Sequence, residues 1–307
     1  MPMNSPMSRD WEVEGRHRIL QEDLPVTRGK GSSWKKIIRH HPLGLFGLLI
    51  LIVVGFAAIA PHYFTPYDPL KQDLRARLSP PTLEHPFGTD ELGRDILSRI
   101  VYGARISLGI AVGANLIAGI IGIAVGTLAG YYGGLIEFLG MRPVDVFLAF
   151  PGILLAIAIV AVLGPGLVNI TISVALFSFP IYARVSHSVA ISLRGKEFVL
   201  AARSIGATNT RIVISHILRN AMGSLSVVLV VRFADSLLTA SSLSFLGLGA
   251  PPYIPEWGTM LSNARPHMLQ NPHVVMFPGL AIAITVMASN LVGQMLTDYA
   301  DPFKDKR

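Results

Sequence analysis

Apolar residues in this chain come in long unbroken runs rather than in alternation. Six stretches, 43–60, 106–129, 144–163, 167–182, 225–246 and 274–291, are apolar almost throughout. A helix crossing the lipid core needs about 20 such residues, because every backbone N–H and C=O must find its partner within the segment. The pattern predicts an all-α integral membrane protein with six transmembrane helices. Divided by these runs, the chain reads as a tail (1–41), a first transmembrane helix (42–62), an outer segment (63–104), a five-helix core (105–296) and a closing tail (297–307). Proline interrupts two of the runs, at Phe150-Pro151-Gly152 and at Phe179-Pro180. Proline removes a backbone donor and kinks a helix. A water-filled passage or ordinary helix packing can satisfy the freed carbonyl, and both readings stand.

Composition agrees with lipid as the solvent. Hydrophobic residues make up 51% of the 307 and charged residues only 15%, against about 25% charged in soluble domains. The net charge of +7 would suggest nucleic acid in a soluble protein, but here the basic residues gather in particular inter-run segments. Membrane orientation and anionic lipid account for them, and no nucleic acid partner is expected. The first 40 residues hold eight Lys or Arg against five acids, with Lys35, Lys36 and Arg39 at the edge of the first run. The 184–223 segment holds six against the single acid Glu197. The positive-inside rule therefore puts both on the cytoplasmic side, and six crossings return Lys304, Lys306 and Arg307 to that side as well. The N and C termini are thus both expected to be cytoplasmic. Ala58-Ile59-Ala60 has the look of a signal-peptide cleavage site, yet a long polar tail precedes it and Pro61 follows, so the first run is read as an uncleaved span. The chain has no cysteine, which excludes disulfides and thiol catalysis.

Catalytic signatures are missing. A phosphate-binding loop ends in Gly-Lys-Ser or Gly-Lys-Thr, and the nearest stretches, Gly29-Lys30-Gly31 and Gly195-Lys196-Glu197, lack the hydroxyl. His85, His187, His216, His267 and His273 are scattered rather than set at zinc-ligand spacing. An intramembrane serine protease needs a serine and a base on facing spans, which the runs do not offer. Arg232 and Asp235, three apart in the fifth run, share a helix face and form either a pathway pair or a structural one. A stand-alone ion-coupled secondary transporter would use such a pair, but would call for further buried carboxylates. Arg142 and Asp145 read as an anchoring pair. In Gly88-Thr89-Asp90-Glu91-Leu92-Gly93-Arg94-Asp95 the glycine makes a turn, Thr89 caps a helix, and Asp90 and Glu91 favour its N-terminus.

The stretch EFVLAARSIGATNTRIVISHILRN (197–220) stands apart. Phe198, Ala201, Ala202 and Ile205 follow helical spacing and make one apolar stripe on a short helix beginning near Glu197. Gly206 sits where a C-terminal glycine cap belongs, and Thr208 or Asn209 can cap a second short helix from about Thr210. Such a unit either docks another protein or lies on anionic lipid with Arg203, Arg211 and Arg219 on phosphates.

AARSIGA, with Leu218 twelve residues after Gly206, resembles the cytoplasmic loop of bacterial ABC importer permeases, whose pattern is Glu-Ala-Ala, three residues, Gly, nine residues, Ile-x-Leu-Pro. Leu200, His216 and Arg219 depart from it at the Glu, Ile and Pro positions. FGTDELGRDILSRIVYGARISL (87–108), AGYYGG (129–134), MRPVDVFLAFP (141–151), LSFLGLGAPPYIPEWGTML (243–261) and DYADP (298–302) resemble the C-type permease of the dipeptide, oligopeptide and nickel importer family. The resemblance implies the type I ABC importer permease fold in a bacterial inner membrane and a non-catalytic, multi-pass subunit without a cofactor of its own. It also implies a homologous second permease, two cytosolic ATPases that bind ATP and Mg, and an extracytoplasmic substrate-binding protein. Glu197, Phe198, Ala201, Ala202, Arg203, Gly206, Ala207 and Leu218 would then couple to the ATPases. Di- or oligopeptides are the expected cargo, with glutathione and nickel as alternatives within the same machinery.

Overall fold

A computed structural model describes residues 41–300. The basic tail with Lys35, Lys36 and Arg39, and the closing Lys304, Lys306 and Arg307, lie outside the described residues. The helices are α1 (Pro42–Ile59), α2 (Ile96–Tyr132), α3 (Gly134–Leu148), α4 (Gly152–Leu163) and α5 (Leu167–Arg194), followed by α6 (Glu197–Ser204), α7 (Asn209–Leu248), α8 (Trp257–Ala264) and α9 (His273–Ala300). Among the described residues, five are long and apolar enough to cross a membrane, and the α3–α4 pair brings the number to six if it counts as one span.

The apolar runs locate the spans but understate the helices. α2 begins ten residues before the predicted 106, α5 continues past 182 to Arg194, and α7 starts at Asn209 rather than 225. Apolar length reports where lipid ends, whereas a helix ends where its backbone is capped or broken. Asp95 caps α2 by accepting from the Ser98 N–H at 2.7 Å, and Gly133, at φ +68, stops it. Between Asn209 and Leu225 nothing breaks the helix, so the second short helix expected after Gly206 is the first part of α7. That part is π-helical over Ile212–Leu218.

The third predicted span is not a single rod. α3 and α4 meet at a bend of 98° across residues 149–151. Pro151 has no N–H to continue the ladder, and it disfavours helical geometry at Phe150 before it. The predicted anchoring pair also changes partner. Asp145 accepts from Arg184 Nη2 of α5 at 2.6 Å, while Arg142 lies over the Phe138 ring at 4.9 Å. Helical spacing marks two residues as neighbours, but a closer cation from another helix takes the carboxylate.

α2 and α5 form the tightest pair. Ala118, Gly122, Gly126 and Gly130 recur every four residues and lie buried along one line of α2. A methyl at Gly122 would stand 2.5 Å from the Phe179 carbonyl oxygen, one at Gly130 2.6 Å from that of His187, and one at Gly126 would collide with the Ala183 carbonyl. In lipid, where hydrophobic association is absent between helices, such close backbone approach supplies dispersion contact and fixes the pair. The Ser186 hydroxyl adds a 3.2 Å contact to the Gly122 carbonyl. Polar groups follow the same seam: Tyr182 donates its O–H to Asn115 Oδ1, and Asn115 Nδ2 donates to the Leu229 carbonyl of α7 at 2.9 Å.

At the end of the bundle where α2 begins, the segment joining α1 to α2 is pinned by buried charge. Asp90 Oδ2 accepts from Arg94 Nε at 2.6 Å and lies 3.5 Å from Arg99 Nε. Arg94 and Arg99 reach the Pro252 carbonyl, and Arg99 also the Pro69 carbonyl. Each buried charge thus has a counter-ion and further hydrogen bonds, the condition under which burial is tolerated. Thr89 does not cap a helix as predicted. Its hydroxyl bonds the Ala76 carbonyl and accepts from Ser79 N–H, because Gly88, at φ +75, turns the chain into a loop and Asp95 takes the cap position. Glu256 caps α8 through the N–H groups of Gly258 and Thr259 and also accepts from Ser107 of α2. The whole end is therefore held as one rigid piece.

Candidate functional site

The opposite end of α2 carries α6. Glu197 lies in its first turn and Arg203 in its last, each the sign that the helix dipole favours. After Ser204 the chain closes in a Schellman turn. Gly206 N–H donates to the Arg203 carbonyl and Ala207 N–H to the Ala202 carbonyl, both at 3.0 Å, with Gly206 at φ +82. The predicted glycine cap is present, and Thr208 begins α7 by accepting from the Arg211 N–H. Since no atom lies within 4 Å of a methyl built on Gly206, its glycine is required by backbone angle and not by space.

Which face of α6 turns inward differs from the predicted stripe. Val199 is fully buried and Ala202 nearly so, packed with Tyr131, Ala190, Ile212, Val213 and Ile217. Phe198, Ala201 and Ile205 point away, and Ile205 is 86% exposed. Only Ala202 of the four is inside. Helical period fixes which residues share a face but not whether that face meets the bundle. Leu200 and Ile214 add to the outward apolar surface. Ala207 is half-buried against the same cluster, and Leu218 closes the π-helical segment half-buried. The structure therefore gathers the predicted site residues at one end, with Glu197, Phe198, Ala201, Arg203 and Gly206 on its surface.

Tyr131, which belongs to the AGYYGG stretch, is the residue that the pattern of 197–220 does not reveal. It is 7% exposed at the end of α2. Its hydroxyl donates to Asn209 Oδ1 at 2.8 Å and accepts from Arg203 Nη2 at 3.3 Å. Nearby, Arg194 Nη1 donates to the Gly130 carbonyl at 3.1 Å, satisfying a C-terminal carbonyl of α2. His187 Nε2 stands 3.0 Å from Glu137 Oε1 and ties α5 to α3. The only foreshadowing of this cluster in the sequence is the double tyrosine between glycines.

Arg232 and Asp235 do form a pair, with Nη1 donating to Oδ2 at 2.8 Å. They lie one turn beyond Leu229, whose carbonyl faces Asn115 near the middle of α2. Their side chains are 34% and 55% exposed on the single chain. The pair is therefore far from both ends of the bundle and open on one side.

A bundle of apolar spans with an amphipathic helix presented at one end defines a multi-pass membrane protein. Residues 122–306 match the model for the binding-protein-dependent transport system inner membrane component, and residues 32–81 match the N-terminal transmembrane domain of oligopeptide transport permease C. The chain belongs to this family of ABC importer permeases, in its dipeptide, oligopeptide and nickel branch. Among its relatives is the glutathione transport system permease protein GsiD of Pectobacterium atrosepticum, 43% identical over 294 residues, covering 94% of this chain and 97% of the relative. The protein of the same name from Escherichia coli O157:H7 is 46% identical over 277 residues, covering 88% and 89%. The inward-facing MetNI methionine ABC transporter shares the fold, with a TM-score of 0.54 at 17% identity over 66% of this chain and 96% of that one. The family is an inner-membrane component, and its members are permease subunits without a catalytic role.

Proposed function

We propose that the chain is one half of the translocation pore of an ATP-driven importer for di- or oligopeptides, paired with a homologous second permease. Two cytosolic ATPases, which bind ATP and Mg, dock on α6, and a substrate-binding protein delivers cargo at the end pinned by Asp90, Arg94 and Arg99. The observation that carries this reading is the outward apolar face of α6. Phe198, Ala201 and Ile205 are exposed beside Arg203 on a helix whose other face is fully packed. An apolar patch rimmed by charge is the usual character of a protein-docking surface. The excess of basic residues over 184–223 supports reading this end, and after six crossings both termini, as cytoplasmic. Lipid does not readily accept a half-exposed ion pair far from both bundle ends. Arg232 and Asp235 are accordingly assigned to the seam between the two permeases, where the passage runs. The relatives bear the name of a glutathione system, which supports a small peptide-type solute and keeps glutathione as the leading alternative, with nickel behind it.

Co-expression with the neighbouring genes and affinity capture of the detergent-solubilised chain is the test. The ATPase subunits and a second permease should co-purify and support ATP-dependent peptide uptake in proteoliposomes. Capture of the chain alone, with uptake that instead follows an ion gradient, would favour a stand-alone secondary transporter.

A further inference from the structure

We infer that Tyr131 is the positioning residue through which movement of α6 reaches the spans. The inference rests on the docking role of α6 proposed above. Among the described residues, the bond from Arg203 to the Tyr131 hydroxyl is the only side-chain hydrogen bond that leaves α6 for another helix. The same oxygen donates its proton to Asn209, the first residue of α7. One buried atom therefore joins three elements: the end of α2, the docking helix and the start of α7. Tyr131 belongs to the buried apolar cluster that holds Val199 and Ala202 of α6 and Ile212 and Ile217 of α7, so apolar and polar contact act in one region.

What lies behind Tyr131 makes it a lever rather than a local fastening. Gly122, Gly126 and Gly130 press α2 against the α5 backbone without room for adjustment, and Arg194 of α5 holds the Gly130 carbonyl one residue before Tyr131. Close-packed helices move as units, so a displacement of Tyr131 displaces α2 and α5 together. α7, with the Arg232–Asp235 pair in its middle, is reached through Asn209. The chain itself ties α6 to α5 and α7, whereas α2 is joined to it by no short connection, so the shared hydroxyl supplies the directional link to α2.

The readout that separates transmission from stability is substrate transported per ATP hydrolysed, measured with the full reconstituted complex, its binding protein and trialanine or glutathione as the transported probe. Tyr131→Phe keeps the ring and removes only the hydroxyl. The complex should assemble and hydrolyse ATP, while transport per ATP falls roughly tenfold, the factor expected for losing one functional hydrogen bond. Asn209→Ala should fall in the same direction, and the double variant should lose no more than the larger single effect, since both remove one network. An unchanged transport-to-ATP ratio in Tyr131→Phe overturns the inference, as does fully additive loss in the double variant. A lower yield of complex with a normal ratio also overturns it, because that is a purely structural role. If the wild-type chain binds no ATPase, the docking proposal itself has failed, which is a separate result.

Discussion

Gly126→Ala is expected to destabilise the permease strongly. The added methyl would run into the Ala183 carbonyl and the Ser186 hydroxyl, and a backbone carbonyl cannot swing aside as a flexible side chain can. α2 and α5 must then separate along their whole seam, losing the close approaches at Gly122 and Gly130 with it. Overpacking of this kind costs about 1–3 kcal/mol and occasionally more, a large share of the margin of a typical fold. Gly109→Ala on the same helix is the control, since no atom lies within 4 Å of its methyl. In detergent, thermal scanning of the two variants should show a strongly lowered unfolding temperature for Gly126→Ala and an unchanged or slightly raised one for Gly109→Ala. Equal behaviour of both would mean that the α2–α5 seam is looser than described.

Gly206→Val is expected to abolish uptake while insertion and folding of the spans stay normal. At φ +82, a non-glycine residue pays about 1–2 kcal/mol, and a β-branched one is a genuine outlier. Relief of that strain opens the Schellman turn, so α6 loses its fixed angle to α7 and presents Phe198 and Ile205 in the wrong place. Because space around Gly206 is open, the order of substitutions should follow backbone preference and not size. Asn, which tolerates the left-handed region, should retain more uptake than Ala, and Ala more than Val. A ranking by side-chain volume instead would mean that a docked partner, not the turn, makes the constraint.

The spans were legible because lipid demands long apolar runs, and a water-soluble fold seldom has use for a run of that length. Helix ends were not, since residues such as Arg184 to Arg194 continue a helix outside the apolar zone without any change in backbone chemistry. Pro151 announced a break, but the 98° angle depends on what α3 and α4 pack against. For α6, the cap at Gly206 was written in the residue type, whereas the face it turns inward meets Tyr131, 72 positions from Arg203, which no local pattern reveals. Asp145 taught the same lesson, as its partner Arg184 is 39 positions away. The Ala118-Gly122-Gly126-Gly130 ladder was present in the sequence throughout, and its four-residue period is the signal that points to a tight helix pair.

Whether α6 meets an ATPase is directly measurable, because the chain has no cysteine of its own. Ile205→Cys places a single thiol on the exposed face of α6, and Tyr253→Cys places one at the opposite end of the bundle, where its side chain is also exposed. With a short bifunctional thiol-to-amine cross-linker in membrane vesicles carrying the full complex, Ile205→Cys should link to the ATPase and Tyr253→Cys should not. Linkage of the ATPase through Tyr253→Cys, with none through Ile205→Cys, would contradict the account.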